Sequence, residues 1–156
     1  MNFRKSTRYA LYASMEMASV GAGVFVTAQE VAARYDIPSS VLAKVFQQLV
    51  RAGLAVGTRG TRGGYRLSRA ASSITVMDVI DAFEPTRTEA NCLLADPLDD
   101  TCSKNDICRL RRLVDEVDEL VRCTYSSVTL NTLVGPQAVE AVRISQKNDA
   151  GAEARR

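Results

Sequence analysis

Through SSVLAKVFQQLVRAG, Val41, Leu42, Val45, Phe46, Leu49 and Val50 recur at helical spacing, while Ser40, Lys44, Gln47, Gln48 and Arg51 fall on the opposite face. The pattern predicts a helix that stops at Gly53, which supplies the left-handed position common after a helix end. Upstream, TAQE at residues 27 to 30 matches a capping box, in which Thr27 satisfies a free backbone amide and Glu30 reaches back to the cap. That predicts a short helix running through Val31 and Ala32 to about Arg34. Tyr35-Asp36-Ile37-Pro38 then breaks it, because proline lacks a donor and displaces the residue before it from helical geometry. Leu54-Ala55-Val56 and Tyr65-Arg66-Leu67 read as short strands. Between them lies GTRGTRGG, residues 57 to 64, whose glycines permit a hairpin with Arg59 and Arg62 at its tip.

Three further segments carry helical patterns. MNFRKSTRYALYASMEMA reads as an amphipathic helix from about Arg4 to Gly21, since Glu16 and the tyrosines fit a secretory signal poorly. A helix from about Thr75 to Phe83 has an acidic cap in Thr75 and Asp78 and an inner face of Val76, Val79, Ile80 and Phe83. From Ile107, the seam Ile107, Leu110, Val114, Val117, Val121, Thr124 and Val128 advances by alternating steps of three and four. This is the a/d pattern of a coiled-coil interface, widened by Leu113 and Leu120, and it predicts a long helix that pairs with a second copy of the chain. Burial against the chain's own core is the competing reading. Arg111 with Asp115 and Arg112 with Glu116 stand at supportive i,i+4 spacing. Gly135-Pro136 punctuates the chain, and SQKNDAGAEARR ends it in small and charged residues expected to be disordered.

The expected fold class is therefore mainly α: a winged helix-turn-helix with a small β-hairpin wing and a long C-terminal dimerisation helix. The corresponding divisions are a DNA-binding unit over 1–84, a cysteine-bearing loop over 85–106, the dimerisation region over 107–134 and the tail over 135–156. At 156 residues the chain has room for one compact domain plus an appendage. No apolar run approaches the roughly 18 to 20 residues of a membrane span, so no membrane partner is expected. With no export signal recognised, a cytoplasmic, reducing location is expected, where closely spaced cysteines point to metal or redox chemistry rather than structural disulfides.

Charge sharpens this picture. Residues 1 to 72 hold ten Lys and Arg against three acids, a balance of plus seven, while the remainder carries a balance of minus five. A basic half beside an acidic half suggests that the first meets a polyanion. Two short helices joined by a tight turn, the second basic on its outer face, suit the major groove of double-stranded DNA, although such hairpins also occur in cores and interaction modules. The arginine-tipped hairpin directly after them reads as a wing, because a narrow minor groove concentrates negative potential that attracts guanidinium groups. A phosphate-cradling loop would need a helix opening on the glycines, and here a strand follows. The candidate DNA contacts are Ser39, Ser40, Lys44 and Gln47 in the major groove, with Arg59 and Arg62 at the wing.

The acidic half holds the remaining chemistry. NCLLADPLDDTCSKNDIC, residues 91 to 108, carries Cys92, Cys102 and Cys108, and the chain has no histidine. An iron-sulfur cluster on three thiolates, with one iron left to an oxygen ligand, a small molecule or solvent, is one reading of them. Zinc, a metal-free thiol switch and inert cysteines are the alternatives, although the C-x9-C-x5-C spacing lacks the short knuckles of structural zinc. Asp96, Asp99, Asp100, Asp106, Glu84 and Glu89 are candidate carboxylates. Cys123 stands fifteen residues beyond Cys108, about 22 Å along a straight helix, too far to complete the same site. The absence of both a C-x-x-C pair and histidine argues against an enzyme.

Arg8-Tyr9-Ala10-Leu11, Ala52-Gly53-Leu54, the run from Arg59 to Leu67 and Ile74-Thr75-Val76-Met77-Asp78-Val79-Ile80 together resemble the Rrf-two family of bacterial winged-helix transcription regulators. The resemblance covers about residues 1 to 130, and RGxxGGY in the wing is its most specific part. It implies a homodimer on a palindromic operator, with Cys92, Cys102 and Cys108 holding an iron-sulfur cluster of 2Fe-2S or 4Fe-4S type. The family's usual first gap is five residues, with longer gaps in some iron-responsive members. Two departures concern the fourth ligand: a histidine in one branch corresponds to Arg111, and an aspartate near the start of the partner chain in another corresponds to Arg8. Ala43 stands where some relatives carry a base-contacting glutamate. The implied function is a DNA-binding transcription regulator, expected to be a repressor, whose operator affinity follows the cluster as it senses iron, nitric oxide or redox state.

Overall fold

The structure is a computed structural model that describes residues 3–60, 63–84 and 109–135. The expected cysteine loop, wing residue Arg62 and the expected tail from residue 136 onward lie outside the described residues. Among the described residues, helices and a two-stranded sheet form in the order α1 (Lys5–Ser19), α2 (Ala28–Tyr35), α3 (Ser39–Arg51), β1 (Ala55–Thr58), β2 (Gly64–Leu67), α4 (Val76–Phe83) and α5 (Arg109–Ser127). A 3-10 turn over Ala71–Ser73 leads into α4, and a short helical stretch over residues 130–135 follows α5.

Local chemistry sets most of these boundaries. At α2, the Thr27 hydroxyl accepts from the Glu30 amide while Glu30 accepts from the Thr27 amide, closing the capping box. The helix ends at Asp36, which adopts a left-handed conformation with φ 52°, and Pro38 then precedes the first residue of α3. Thr75 and Asp78 make the same reciprocal pair at α4. At the end of α3, Gly53 takes φ 72° and the Leu54 amide reaches back to the Leu49 carbonyl, 2.9 Å away. This left-handed glycine ends α3 and turns the chain into β1 without a Cβ penalty.

One core joins these elements. Ala10, Ala13 and Met17 of α1 pack with Val31 of α2, Leu42, Val45, Phe46 and Leu49 of α3, Ala55 of β1 and Val79 of α4. The small residues of α1 let α3 and α4 approach it closely. Leu130 and Val134, beyond α5, are buried in the same core, so the winged-helix interior draws on chain from well past residue 84. A second cluster of Val76, Met77 and Ile80 is covered by Phe3, Leu11, Tyr125 and Val128.

Several bounds differ from those the sequence predicts. Helix α1 ends at Ser19 rather than near Gly21, because Val20 caps it and Gly21 takes φ 88°. The strands reach further into the hairpin, pairing Ala55 with Leu67, Val56 with Arg66, Gly57 with Tyr65 and Thr58 with Gly64. The helical region after Ile107 is interrupted before residue 134. The Val128 carbonyl accepts from the Val76 amide, and Thr129 forms a β-bridge with Thr75, so the chain leaves α5 to dock beside the start of α4.

Candidate nucleic-acid interface

Helix α3 buries Leu42, Val45, Phe46 and Leu49 and turns the other side of its cylinder outward. Ser40, Lys44, Gln47 and Arg51 share that outward face and are exposed, as is Ser39 at the first turn. Lys44, Arg51 and Arg59 form no ion pair among the described residues. Val41 and Val50, which periodicity assigns to the apolar side, are exposed instead, because they flank the buried sector. Gln48 is exposed, as its sequence assignment to the polar face expects, and is also bonded to α4. Its Nε2 donates to the Ala82 carbonyl at the end of α4, 2.7 Å away.

The wing is held to this helix by aromatic contact and to the segment before α2 by main-chain pairing. Tyr65 on β2 stacks on Phe46 of α3, and its amide and carbonyl exchange bonds with Val26 at 2.8 and 2.9 Å. The ring lies over Gly57 on the facing strand, where a Cβ would come within 3.1 Å of it. Across the wing, the Arg66 guanidinium lies 5.7 Å from the centre of the Phe25 ring, which draws Arg66 onto the protein. Arg59, on the approach to the tip, is exposed. The Val26 pairing was not legible in sequence, since one bridging residue has no periodic signature.

The helix-turn-helix is braced from behind. Glu16 of α1 accepts from the Tyr35 hydroxyl and from Arg34 Nη1, both at 2.7 Å, while Tyr12 stacks on Tyr35 at 4.7 Å. Burial, reinforced by the hydrogen bond to Glu16, pushes the Tyr35 phenol up to about 12. Tyr35 therefore remains a neutral donor across the physiological range.

An exposed polar and basic helix face, presented beside a hairpin that packs on the same helix, defines a winged-helix DNA-binding protein. The comparisons then give the family. The family model for Rrf2, "Iron-dependent Transcriptional regulator", matches residues 3–136. The chain is 32% identical over 155 residues to the HTH-type transcriptional regulator BadM of Rhodopseudomonas palustris, covering 99% of this chain and 94% of BadM. The chain belongs to the Rrf2 family of transcription regulators. Among solved structures, T. potens IscR superposes with a TM-score of 0.69 at 21% identity, covering 86% of each chain. CymR, the global cysteine regulator of B. subtilis, gives 0.67 at 22% identity, covering 85% of this chain and 95% of its own. These likenesses show a mainly helical winged-helix fold with a small antiparallel sheet.

Ser39, Ser40, Lys44, Gln47 and Arg59 thus lie on exposed surface of the recognition helix and wing, whereas Arg62 and the cysteines Cys92, Cys102 and Cys108 fall outside the described residues. Among the described residues, no group of three or more His, Cys, Asp and Glu side chains could hold a metal ion. Arg8 is exposed on α1. No described helix is long and apolar enough to cross a membrane.

Proposed function

We propose that this regulator grips operator DNA through Ser39, Ser40, Lys44 and Gln47 of α3 and Arg59 and Arg62 of the wing, under control of an iron-sulfur cluster on Cys92, Cys102 and Cys108. The observation that carries the DNA reading is the outward face of α3, whose lysine and arginine are without ion-pair partners among the described residues while the wing is pinned to the same helix. Unpaired cations there can neutralise phosphates and release counterions.

The donor set supports the cluster. Three cysteines in a chain without histidine are soft ligands suited to iron-sulfur chemistry, and the family's iron-dependent description agrees with that choice. Arg8 and Arg111 cannot donate to iron, so these thiolates would leave one position open to a carboxylate, a small molecule or solvent. When bound, such a cluster supplies a centre that reacts with oxidants and nitric oxide. The chain's own part is to hold it by three sulfurs and to relate its state to α3.

Two copies acting together complete this reading. Leu113, Val117 and Leu120 stand 55%, 49% and 68% exposed on one face of α5, at spacings of four and three. An exposed stripe of large apolar side chains on a helix is suited to pairing with another copy, and a twofold pair would match a palindromic operator. Within the seam that sequence predicts, Val114, Val121 and Val128 are half-buried while Val117 and Thr124 are exposed. The proposed pairing surface is therefore rotated toward Leu113 and Leu120.

The test is purification without air, iron and sulfide assay, and titration of duplex DNA with cluster-loaded and cluster-free protein. Visible absorbance with stoichiometric iron and sulfide, and different affinities for the two forms, support the proposal. Iron-free protein whose affinity follows thiol oxidation would replace it with a metal-free thiol regulator, and zinc without sulfide would replace it with a zinc-stabilised one.

A further inference from the structure

The last turn of α4 is bonded to three other helices through residues that almost adjoin. Asp81 receives both Arg122 guanidinium nitrogens from α5, at 3.3 and 3.2 Å. The Ala82 carbonyl accepts from Gln48 of the recognition helix. Glu84 Oε1 accepts from the Arg4 backbone amide at 3.0 Å and from the Thr7 hydroxyl of α1 at 2.5 Å. The segment bearing Cys92, Cys102 and Cys108 begins directly afterwards in the sequence.

These bonds differ in what their loss would leave behind. Helix α1 has no side-chain cap of its own and no acidic residue in its first turn, so Glu84 provides both an acceptor and a negative charge at the positive end of its dipole. Thr7 is fully buried, and moving Glu84 away would strand its hydroxyl. The Gln48 bond meets a C-terminal carbonyl of α4, a group that the helix itself leaves unpaired. A displacement of residues 82 to 84 must therefore either break these bonds or carry α1 and α3 with it. Asp81 and Arg122 are half-exposed and bind a second, weaker point of the same turn.

We propose that Gln48 and Glu84 are positioning residues, through which the state of the cysteine-bearing segment sets the placement of α3 against α1 and hence the grip on DNA. This rests on the cluster reading above and adds the route by which the cluster acts. Neither side chain needs to touch DNA or metal in this role.

The experiment uses full-length protein in cluster-loaded and cluster-free forms, and a duplex selected from a random pool with the wild type. The quantity read is the ratio of the two dissociation constants. The wild type should show a ratio of about tenfold or more, within the usual range of allosteric coupling. Gln48→Met and Glu84→Ala should bring it to within about twofold of unity at unchanged iron content, while Glu84→Gln, which keeps an acceptor oxygen, should restore part of it. Variants that melt earlier yet keep the wild-type ratio would show a merely structural role and overturn the proposal. Loss of iron from Glu84→Ala and Glu84→Gln together would overturn it too, by making Glu84 a ligand. If Glu84→Ala does not fold, Gln48→Met at an exposed position decides alone. A wild-type ratio of one would remove the cluster reading and this proposal with it, whereas a wild-type ratio preserved in the variants removes only the proposal.

Discussion

Tyr65 lies on Phe46 with ring centres 4.3 Å apart and planes 12° from parallel, so the wing and the recognition helix share one aromatic contact. Phe46 is fully buried, whereas Tyr65 is half-buried. Tyr65→Ala should therefore act mainly on the wing. It removes a stacked pair worth about 0.5 to 1.5 kcal/mol beyond its buried area and leaves the core side of Phe46 in place. Thermal melting should show a moderate loss of stability. Duplex titration should show a larger loss than Tyr65→Phe, which keeps the stack.

The wet face of α3 and the wing should reveal itself through salt. Lys44→Ala and Arg59→Ala should each weaken duplex binding and flatten the plot of log affinity against log salt by about 0.9 if that side chain meets one phosphate. Gln47→Ala should leave this slope unchanged and relax preference among base sequences. Titrations at four or five salt concentrations, with a selected and a scrambled duplex, separate these behaviours.

Ser14 has its hydroxyl buried in α1 with no hydrogen-bond partner among the described residues. An unpaired buried hydroxyl costs about 1 to 3 kcal/mol relative to water. Ser14→Ala removes that group and raises helix propensity, so it should stabilise the protein by about 1 kcal/mol. A raised urea midpoint with unchanged slope is the expected result.

Tyr35 makes stability fall at alkaline pH. Its phenol is pushed up to about 12 from the ordinary 10.0 by burial and then by the bond to Glu16, with Arg34 opposing. Between these values the unfolded chain loses the phenolic proton while the folded protein keeps it, so the folded state binds more protons and stability declines as pH rises. Below pH 10 the contribution is fully present. Urea denaturation of wild type and Tyr35→Phe from pH 9 to 12 should show a steeper decline for the wild type, the difference isolating this residue from the other titrating groups.

What sequence made legible was local. The capping boxes at Thr27 and Thr75 and the stop at Gly53 were readable because each needs only residues within one turn. The buried and wet sides of α3 followed from periodicity, except at Val41 and Val50 on its borders. The Val26 pairing with Tyr65, the Gln48 bond to Ala82 and the break after α5 were not readable. Each is set by a partner distant in the chain, and no spacing rule encodes it. In the same way, periodicity marked the apolar stripe that starts at Ile107 but could not divide it between Val128, which packs on α4, and Leu113, Val117 and Leu120, which remain exposed.

The bond from the Arg4 amide to Glu84 spans 80 positions, and this orders events during synthesis. At about 5 to 20 residues per second, a ribosome takes on the order of 4 to 16 seconds to travel that distance. Throughout that interval the nascent first helix lacks the carboxylate that closes its leading end, so the newborn chain completes that helix only after α4 has emerged from the exit tunnel.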